Sequence, residues 1–188
     1  MNDVFRTVTA DNFISVGIFE GFSWIRCEGK GSFLNSPALK NFGDARISAG
    51  ELLLIVDLSQ CSGMDSTFMG TLAGMSARLS SRDGGSLQIA EPGPRNLRSL
   101  EDLGLDHLME IDPPEAIWRG KIDAIRKDLK PPGSILHLNE LQRTRHVLEA
   151  HENLSDLNDQ NEREFSNVVE VMKTNLSDRL KRSDDSSK

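Results

Sequence analysis

The chain has 188 residues, which is long enough for one well-buried domain with an appended segment but short for two full domains. Its formal net charge of −7 at pH 7 argues against a nucleic-acid-binding protein, for which a basic stripe is expected. No run of about 18 apolar residues occurs, and the first residues have no apolar signal core, so we expect a cytoplasmic protein. Cys27 and Cys61 are too few for a disulfide framework, and we expect both to be free thiols.

Predicted strands and helices alternate along the first two-thirds of the chain. The strands are expected at 13–19, 24–28, 52–56, 87–90 and 107–111, and the helices at 37–46, 68–79, 95–103 and 115–127. Ser36 is expected to cap the first helix, with Pro37 at its first position. This order indicates an α/β protein with a mixed sheet, because the first two strands form a hairpin.

The segment 51–79 is the most informative part of the sequence. The apolar run Leu52–Val56 predicts a strand buried on both faces and closed by Asp57. A polar turn then leads to Asp65, Ser66 and Thr67, which are residue types that accept hydrogen bonds from free N–H groups at a helix N-terminus. The segment therefore predicts a serine hydroxyl at the positive end of a helix dipole.

Two stretches within this segment, IVDLS (55–59) and MDSTFMG (64–70), resemble the signature of the STAS family, the domain of anti-sigma factor antagonists. The family pattern is an apolar strand ending in Asp-Leu-Ser, a short loop, and Asp-Ser-Ser/Thr-Gly-Leu-Gly at the start of a helix. Phe68 stands where the first glycine is usual, and Gly70 matches the second. GLDHLMEIDPPEAI (104–117) resembles the end of the same domain, so the resemblance covers residues 10–128 and implies a STAS-like mixed sheet with helices packed on it.

The resemblance implies a phosphorylation-regulated binding module in bacterial transcription control. In the family, the serine matching Ser66 is phosphorylated by an anti-sigma kinase and dephosphorylated by a phosphatase. The unphosphorylated chain is then expected to dock the kinase, and the phosphorylated chain to release it. Thr67 is a poorer candidate for phosphorylation. The residues expected to contact the partner are Asp57, Ser59, Met64, Asp65, Thr67, Phe68 and Met69. No cofactor is expected, because the kinase supplies ATP and magnesium.

Plainer interpretations of the same residues stay open. Ser66 is also explained as a simple helix cap, and Phe68 either faces the core, anchors a partner or narrows access to Ser66. Enzyme chemistry is not expected, because Ser66 lacks a G-x-S-x-G elbow and three of the four histidines lie in the C-terminal extension, away from the motif. Of these, His146 and His151 are five residues apart and are expected on different helix faces, so no metal site is predicted.

The composition changes after the Pro-Pro-Gly stretch at 131–133. We expect a linker over 129–134, a helical extension over 135–177 and a flexible tail over 178–188. A seam with alternating spacings of four and three comprises Val147, His151, Leu154, Asn158, Asn161, Phe165, Val168 and Met172. Three arrangements are compatible with it: a dimerising or partner-binding coiled coil over 147–172, a helix packed on its own domain, or a helical hairpin broken near 155–161. The seam also supports an alternative function, a STAS scaffold that oligomerises without switching.

Overall fold

The computed structural model of the protein describes residues 12–133 and 138–185, with side chains as far as Lys181. Its sheet has the strand order β1 (Asn12–Phe19), β2 (Phe22–Gly31), β3 (Leu53–Met64), β4 (Ser86–Ala90) and β5 (Glu110–Ile111). The first two strands are antiparallel and the other neighbouring pairs are parallel. The helices are α1 (Ser36–Ser48), α2 (Ser66–Ser80), α3 (Gly93–Asp102), α4 (Ile122–Lys127), α5 (Glu140–Ser155) and α6 (Asp159–Asp185). The predicted mixed α/β sheet with packed helices and a C-terminal helical extension is confirmed.

Both faces of the sheet are covered, as the continuous apolar run in β3 predicts. Side chains alternate along β3, so Leu54 and Val56 join the larger core beneath α1 and α2. Ile55 points to the opposite face, into a smaller core with Trp24 and Trp118. The two indole rings are fully buried and meet edge to face, with their centroids 5.4 Å apart.

The central strand is longer than its apolar run predicts. The sequence closes it at Asp57, whereas β3 continues to Met64. Residues 58–64 read as a loop because several are small and polar, but β2 supplies a parallel partner as far as Gly31, which pairs with Met64. Two irregularities of register along this pair accommodate the extra residues. The extension carries the chain to the first turn of α2 without a free loop.

The end of the sheet domain differs most from its predicted elements. The strand expected at 107–111 is reduced to β5, because a 3₁₀ turn at Leu105–His107 precedes it. The helix expected at 115–127 is reduced to α4, because Gly120 adopts a positive φ of 77° and ends the preceding turns. Trp118 lies in those turns and donates from Nε1 to Gln88 Oε1 at 2.7 Å, so its burial is achieved without a helix.

The C-terminal extension forms a helical hairpin, one of the arrangements that the seam left open. α5 begins at a capping box, in which Asn139 and Gln142 bond each other's backbone N–H groups, and it ends at Ser155. α6 returns along it, and α5 also packs lengthwise on α2 of the sheet domain. The inward-facing seam residues are buried within this arrangement: His151, Leu154, Asn161 and Phe165. α6 runs to Asp185, further than the sequence predicts, and residues 186–188 lie outside the described part of the chain.

Candidate functional site at the N-terminus of α2

Asp65 fixes the first turn of α2. It is the N-cap residue, with extended backbone angles, and its Oδ1 accepts a hydrogen bond from Phe68 N at 2.9 Å. Its Oδ2 accepts from Phe33 N at 2.8 Å, and its own N–H donates to Gly31 O at 2.9 Å. Asp65 therefore caps the helix and also binds it to the loop between β2 and α1. Because the cap is Asp65, Ser66 occupies the first helical position with its hydroxyl free for another partner.

Ser66 bonds a histidine of the C-terminal hairpin. Its Oγ lies 3.1 Å from Nε2 of His151, whose Nδ1 lies 2.8 Å from Val147 O, one turn earlier in α5. A carbonyl only accepts, so we assign the ring proton to Nδ1; Nε2 then accepts from the Ser66 hydroxyl. Phe165 of α6 packs against the same ring, with the centroids 5.7 Å apart. The expectation that the histidines of the extension lie away from the motif is wrong for His151.

A second histidine–serine bond lies on the same helix. His146 Nε2 is 2.8 Å from the Oγ of Ser36, at the first position of α1. The sequence predicts Ser36 as the cap of α1, but it stands one residue inside the helix. His146 and His151 are both buried, and they bond serines of two different helices, α1 and α2. Burial lowers the pKa of His146, because its charged form would lose hydration.

The contact between α2 and α5 is close because two glycines of α2 face it. A Cβ added at Gly70 would stand 2.0 Å from the backbone O of Ala150, and one added at Gly74 would stand 2.3 Å from the side-chain Nδ2 of Asn153. That same amide donates to Gly70 O at 3.1 Å. Only about 10 Å³ of open cavity remains where α1, α2 and α5 meet, which is barely enough for one water molecule. The hairpin is therefore part of the packed molecule.

Polar groups join both helices of the hairpin to the sheet domain. In the second half of α5, Glu149 Oε1 lies 3.1 Å from Lys40 Nζ of α1, which is also 2.9 Å from Asp44 Oδ2. Burial opposes the charge on Lys40, but the two carboxylates outweigh it and raise the pKa of the amine. Near the start of α6, Asn161 Nδ2 donates to Leu103 O at 3.0 Å from a fully buried position. Polar contacts thus hold both α5 and α6 to the sheet domain.

Three residues predicted to meet a partner are buried in this conformation. Phe68 has no exposed surface, and a Cβ on Gly31 would stand 2.9 Å from its ring, so the small residue in β2 makes space for the Phe that replaces the family's usual glycine. It faces the core and does not narrow access to Ser66. Thr67 is 4% exposed. Asp57 has no exposed surface, so direct partner contact is excluded for it in this conformation.

Asp57 belongs to an ion-pair network on the opposite face of the sheet. Arg126 of α4 donates from Nε to Asp57 Oδ2 at 2.8 Å and from Nη2 to Oδ1 at 3.0 Å. Arg126 also reaches Glu91 Oε2 at 2.6 Å. Burial opposes ionisation of Asp57, but Arg126 and the N–H of Ser59 outweigh it and lower the pKa of the carboxyl group. The Asp57 carboxylate also accepts a hydrogen bond from Ser59 N at 3.0 Å, and its pairing with Arg126 is not among the sequence predictions.

The remaining predicted residues lie nearer the surface, beside two apolar side chains that the prediction omitted. Ser59, Met64 and Met69 are partly exposed. Phe33 and Leu34, in the loop held by Asp65, are 42% and 70% exposed. Two large apolar residues between Gly31 and Pro37 were the available sequence signal. They give the Ser66 end of the molecule an exposed apolar loop of the kind that anchors protein partners.

The site does not complete a hydrolase triad in the described residues. The ring nitrogen of His151 that faces away from Ser66 is bonded to the Val147 carbonyl and not to a carboxylate. In the same residues no three His, Cys, Asp or Glu side chains converge as a metal site would require. His137 lies outside the described part of the chain. No helix in residues 12–133 and 138–185 has the length and apolarity needed to cross a membrane.

Sequence comparison identifies the domain on which this site is built. Residues 23–110 match the sequence profile of the family described as "Mlab, STAS domain". These residues form a STAS domain. The match includes β2, β3 and the whole of α2, so Ser66 lies within it. A comparison with functionally characterised sequences finds no significant match.

Solved structures of anti-sigma factor antagonists are similar to this chain at low sequence identity. A Thermotoga maritima protein provisionally described as an anti-sigma factor antagonist is 19% identical, with a TM-score of 0.50, and the alignment covers 60% of this chain and 94% of that one. An anti-sigma factor antagonist from Mycobacterium paratuberculosis is 23% identical, with 61% and 94% covered and a TM-score of 0.48. The Bacillus cell fate determinant SpoIIAA in its phosphorylated form is 20% identical, with 60% and 99% covered and a TM-score of 0.47. The T. maritima alignment supports the STAS fold of the sheet domain.

Proposed function

We propose that this protein is an anti-sigma factor antagonist, acting in the cytoplasm as a binding module regulated by phosphorylation of Ser66. In this proposal the unphosphorylated chain docks an anti-sigma kinase and so releases a sigma factor, and phosphorylation ends the docking. A cognate phosphatase resets the chain. The observation that supports the proposal is the position of Ser66: it opens the helix that follows the central strand of a STAS domain, with Asp65 already supplying the cap.

The α2 N-terminus can hold a phosphate without unfolding. A phosphate carries a charge of about −1.5 to −2, and the free N–H groups and dipole of a helix N-terminus favour a negative group. The Asp65 carboxylate beside it opposes the added charge, so the phosphate would sit between an attractive helix end and a repulsive side chain. Phosphorylation then acts by changing the charge and shape of the surface that meets the partner, while the sheet is left intact.

The partner-facing surface is expected to extend from Ser66 to the neighbouring loop. Phe33 and Leu34 supply exposed apolar area, and Asp65 joins that loop to the helix. A large apolar side chain that is exposed in the free protein and enclosed in a complex is a common source of binding energy. Met64, Asp65 and Met69 complete the proposed surface, whereas Thr67 and Phe68 support it from below.

Incubation with candidate anti-sigma serine kinases, ATP and magnesium tests the proposal. Intact-mass analysis should show one added phosphate on the native chain and none on Ser66→Ala, while Thr67→Ala should still be modified. The phosphorylated chain should bind the same kinase at least about tenfold more weakly, a difference of about 1.4 kcal/mol. A phosphate that persists in Ser66→Ala, or equal binding by both forms, contradicts the switch.

A second candidate is a scaffold that uses its C-terminal helices without switching. Val168 and Val171 on the outer side of α6 are 42% and 59% exposed, and they favour some contact beyond the chain itself. The rest of the seam is occupied within the hairpin and against the sheet domain, which weakens the coiled-coil form of this idea. Solution mass distinguishes the two: the scaffold requires a stable oligomer that Val168→Ser with Val171→Ser disrupts, and the switch does not.

A further inference from the structure

The hairpin of α5 and α6 covers the surface on which the proposed function depends. Ser66 is only partly exposed, because His151 lies across its hydroxyl and Phe165 holds that ring from the other side. The His151 ring is also fixed through Nδ1 to Val147 O. A phosphate on Ser66 Oγ would need the space that Nε2 of His151 occupies, 3.1 Å away. The ring cannot yield that space while α5 stays in place.

The net negative charge of the hairpin also disfavours a phosphate on Ser66. Residues 140–185 contain eleven acidic and seven basic side chains, a net charge of −4. A dianionic phosphate between α2 and α5 would add negative charge to an interface whose mobile side is already acidic, and the low dielectric of a partly buried site strengthens the repulsion.

The hairpin keeps its own helical contacts if it leaves the sheet domain. Lys130 is paired with Val16 of β1 through two backbone hydrogen bonds of 2.7 and 2.9 Å, which mark the end of the sheet domain. α5 starts at its own capping box at Asn139 and keeps α6 as a partner, so its helical ends do not depend on the sheet domain. On leaving, the hairpin would lose the α2 contact, its polar bonds to α1 and to Leu103, and the apolar contacts that Leu154 and Phe165 make with the main core.

We propose that the α5–α6 hairpin is an intramolecular lid over Ser66, and that the docked lid excludes both a phosphate on Ser66 and a partner on the α2 N-terminus. The lid must open before a kinase reaches the serine, and a phosphorylated Ser66 keeps it open. The phosphate and partner in this statement rest on the proposed function. The masking of position 66 does not, and it is measurable without any kinase.

A thiol at position 66 reports the lid directly. In a Ser66→Cys chain, alkylation of the introduced thiol by iodoacetamide is followed by peptide mapping, which separates it from the buried Cys27 and Cys61. Adding Ala150→Glu places a charge at a 2% exposed position where α5 meets Gly70, and should open the lid. Ser166→Glu adds the same side chain on the exposed side of α6 and serves as the matched control.

The rate of thiol labelling follows the fraction of molecules with an open lid. The lid therefore predicts slow labelling of the introduced thiol in Ser66→Cys alone. Adding Ala150→Glu should speed labelling at least about tenfold, and adding Ser166→Glu should leave the rate unchanged. Equal rates in all three chains overturn it. If Ala150→Glu abolishes cooperative unfolding, Asn153→Ala decides instead: it removes the side chain that bonds Gly70 O and should raise the rate about fivefold. An unchanged rate there also overturns the lid.

A second measurement tests whether charge on Ser66 excludes the docked hairpin. Carbodiimide coupling of Lys40 to Glu149 joins α1 to α5 only when the lid is closed, since their charged atoms lie 3.1 Å apart. Ser66→Glu should lower the yield of this cross-linked peptide about fivefold or more, and Ser166→Glu should leave it unchanged. An unaltered yield in Ser66→Glu contradicts the exclusion. Slow thiol labelling in Ser66→Cys, combined with a native chain that no kinase phosphorylates, would leave the lid in place and refute the proposed function alone.

Discussion

Gly70→Ala gives the sharpest test of the contact between α2 and α5. In an exposed helix interior this change stabilises a protein by about 1 kcal/mol, because alanine has the higher helix propensity. Here the new Cβ would stand 2.0 Å from Ala150 O and 2.6 Å from the carbon of the same carbonyl. Contact at an ordinary 3.4 Å requires a retreat of about 1.4 Å, and a helix backbone cannot provide it by rotating a side chain. We therefore expect the sign of the effect to reverse.

The magnitude follows from the separate contributions. Overpacking in a rigid environment costs about 1–3 kcal/mol. If α5 moves away, the bonds from Asn153 to Gly70 O and from Ser66 to His151 are lost as well, at about 1 kcal/mol each. Against these stands the gain in helix propensity of about 1 kcal/mol. The expected result is a net loss of about 2–4 kcal/mol of unfolding free energy.

Gly74→Ala, one turn further along the same helix, is the matched control. Its Cβ would meet the Asn153 side-chain amide at 2.3 Å, which is a group that can rotate away. Losing the Asn153 bond costs about 1 kcal/mol, which the gain in propensity offsets, so the net change should be close to zero. Urea unfolding followed by circular dichroism measures both variants, and hydrogen exchange of the α5 amides should speed up more in Gly70→Ala than in Gly74→Ala. Equal stabilisation by both substitutions would refute the docked arrangement of α5.

Further variants test the supports of the site. Arg126→Met should cost about 3 kcal/mol in urea unfolding, because it removes two hydrogen bonds from the buried Asp57 carboxylate and leaves it with the more distant Arg26, whose Nε is 3.7 Å away; Asp57→Asn should restore part of the loss. The same change at Arg119, whose carboxylate partner is exposed, should cost less than about 1 kcal/mol, and equal losses would argue against a special role for the buried pair. Asp65→Ala should lower the free energy of unfolding by about 1–2 kcal/mol through loss of the α2 cap, and Asp65→Asn should lower it less. If the two variants are equally stable, the cap bond contributes nothing. Because burial lowers the pKa of His146, the unfolded chain binds more protons than the folded one, so stability should fall as the pH drops below the ordinary value of 6.5. In His146→Asn the urea unfolding midpoint should no longer show this fall at low pH. If the midpoint of the variant depends on pH as in the native chain, other groups cause the fall.

The sequence predicts the sheet well where the burial pattern is local. The apolar run before Asp57 and the capping residues before α2 correspond to a central strand and a helix start, because each depends on neighbouring residues alone. The second half of β3 was missed, since its small and polar residues become a strand only by pairing with β2 as far as Gly31. Such pairing is a long-range contact, and no periodicity in the strand itself records it.

The sequence also does not predict that the α5–α6 hairpin packs over Ser66, for a related reason. The seam in the extension shows that one face of the helices is apolar, but not which surface receives that face. Polar residues such as His151 and Asn161 are unusual in the seam of a coiled coil. In the structure His151 bonds Ser66, and Asn161 bonds Leu103 O. Polar residues within an apolar stripe can be specific partners for polar groups elsewhere in the chain, and only the tertiary structure shows which.

Exposure of Ser66 and partner binding at Ser66 can be tested separately. The α2 side of the interface belongs to both the lid contact and the proposed partner surface, whereas the α5 side belongs only to the lid. Gly70 lies within the residues that match the STAS family and also in the surface under α5, so substituting it alters both the lid contact and the surface left for a partner. Ala150 and Asn153 belong to the lid alone. A change on α5 should therefore expose Ser66 and leave the α2 surface native, while the change at Gly70 exposes a modified surface. If opening the lid is what a partner needs, Ala150→Glu should strengthen kinase binding, and Gly70→Ala should strengthen it less or not at all. A reversal of that order would mean that the partner also binds the hairpin, and that α5 and α6 form part of the interface in addition to covering it.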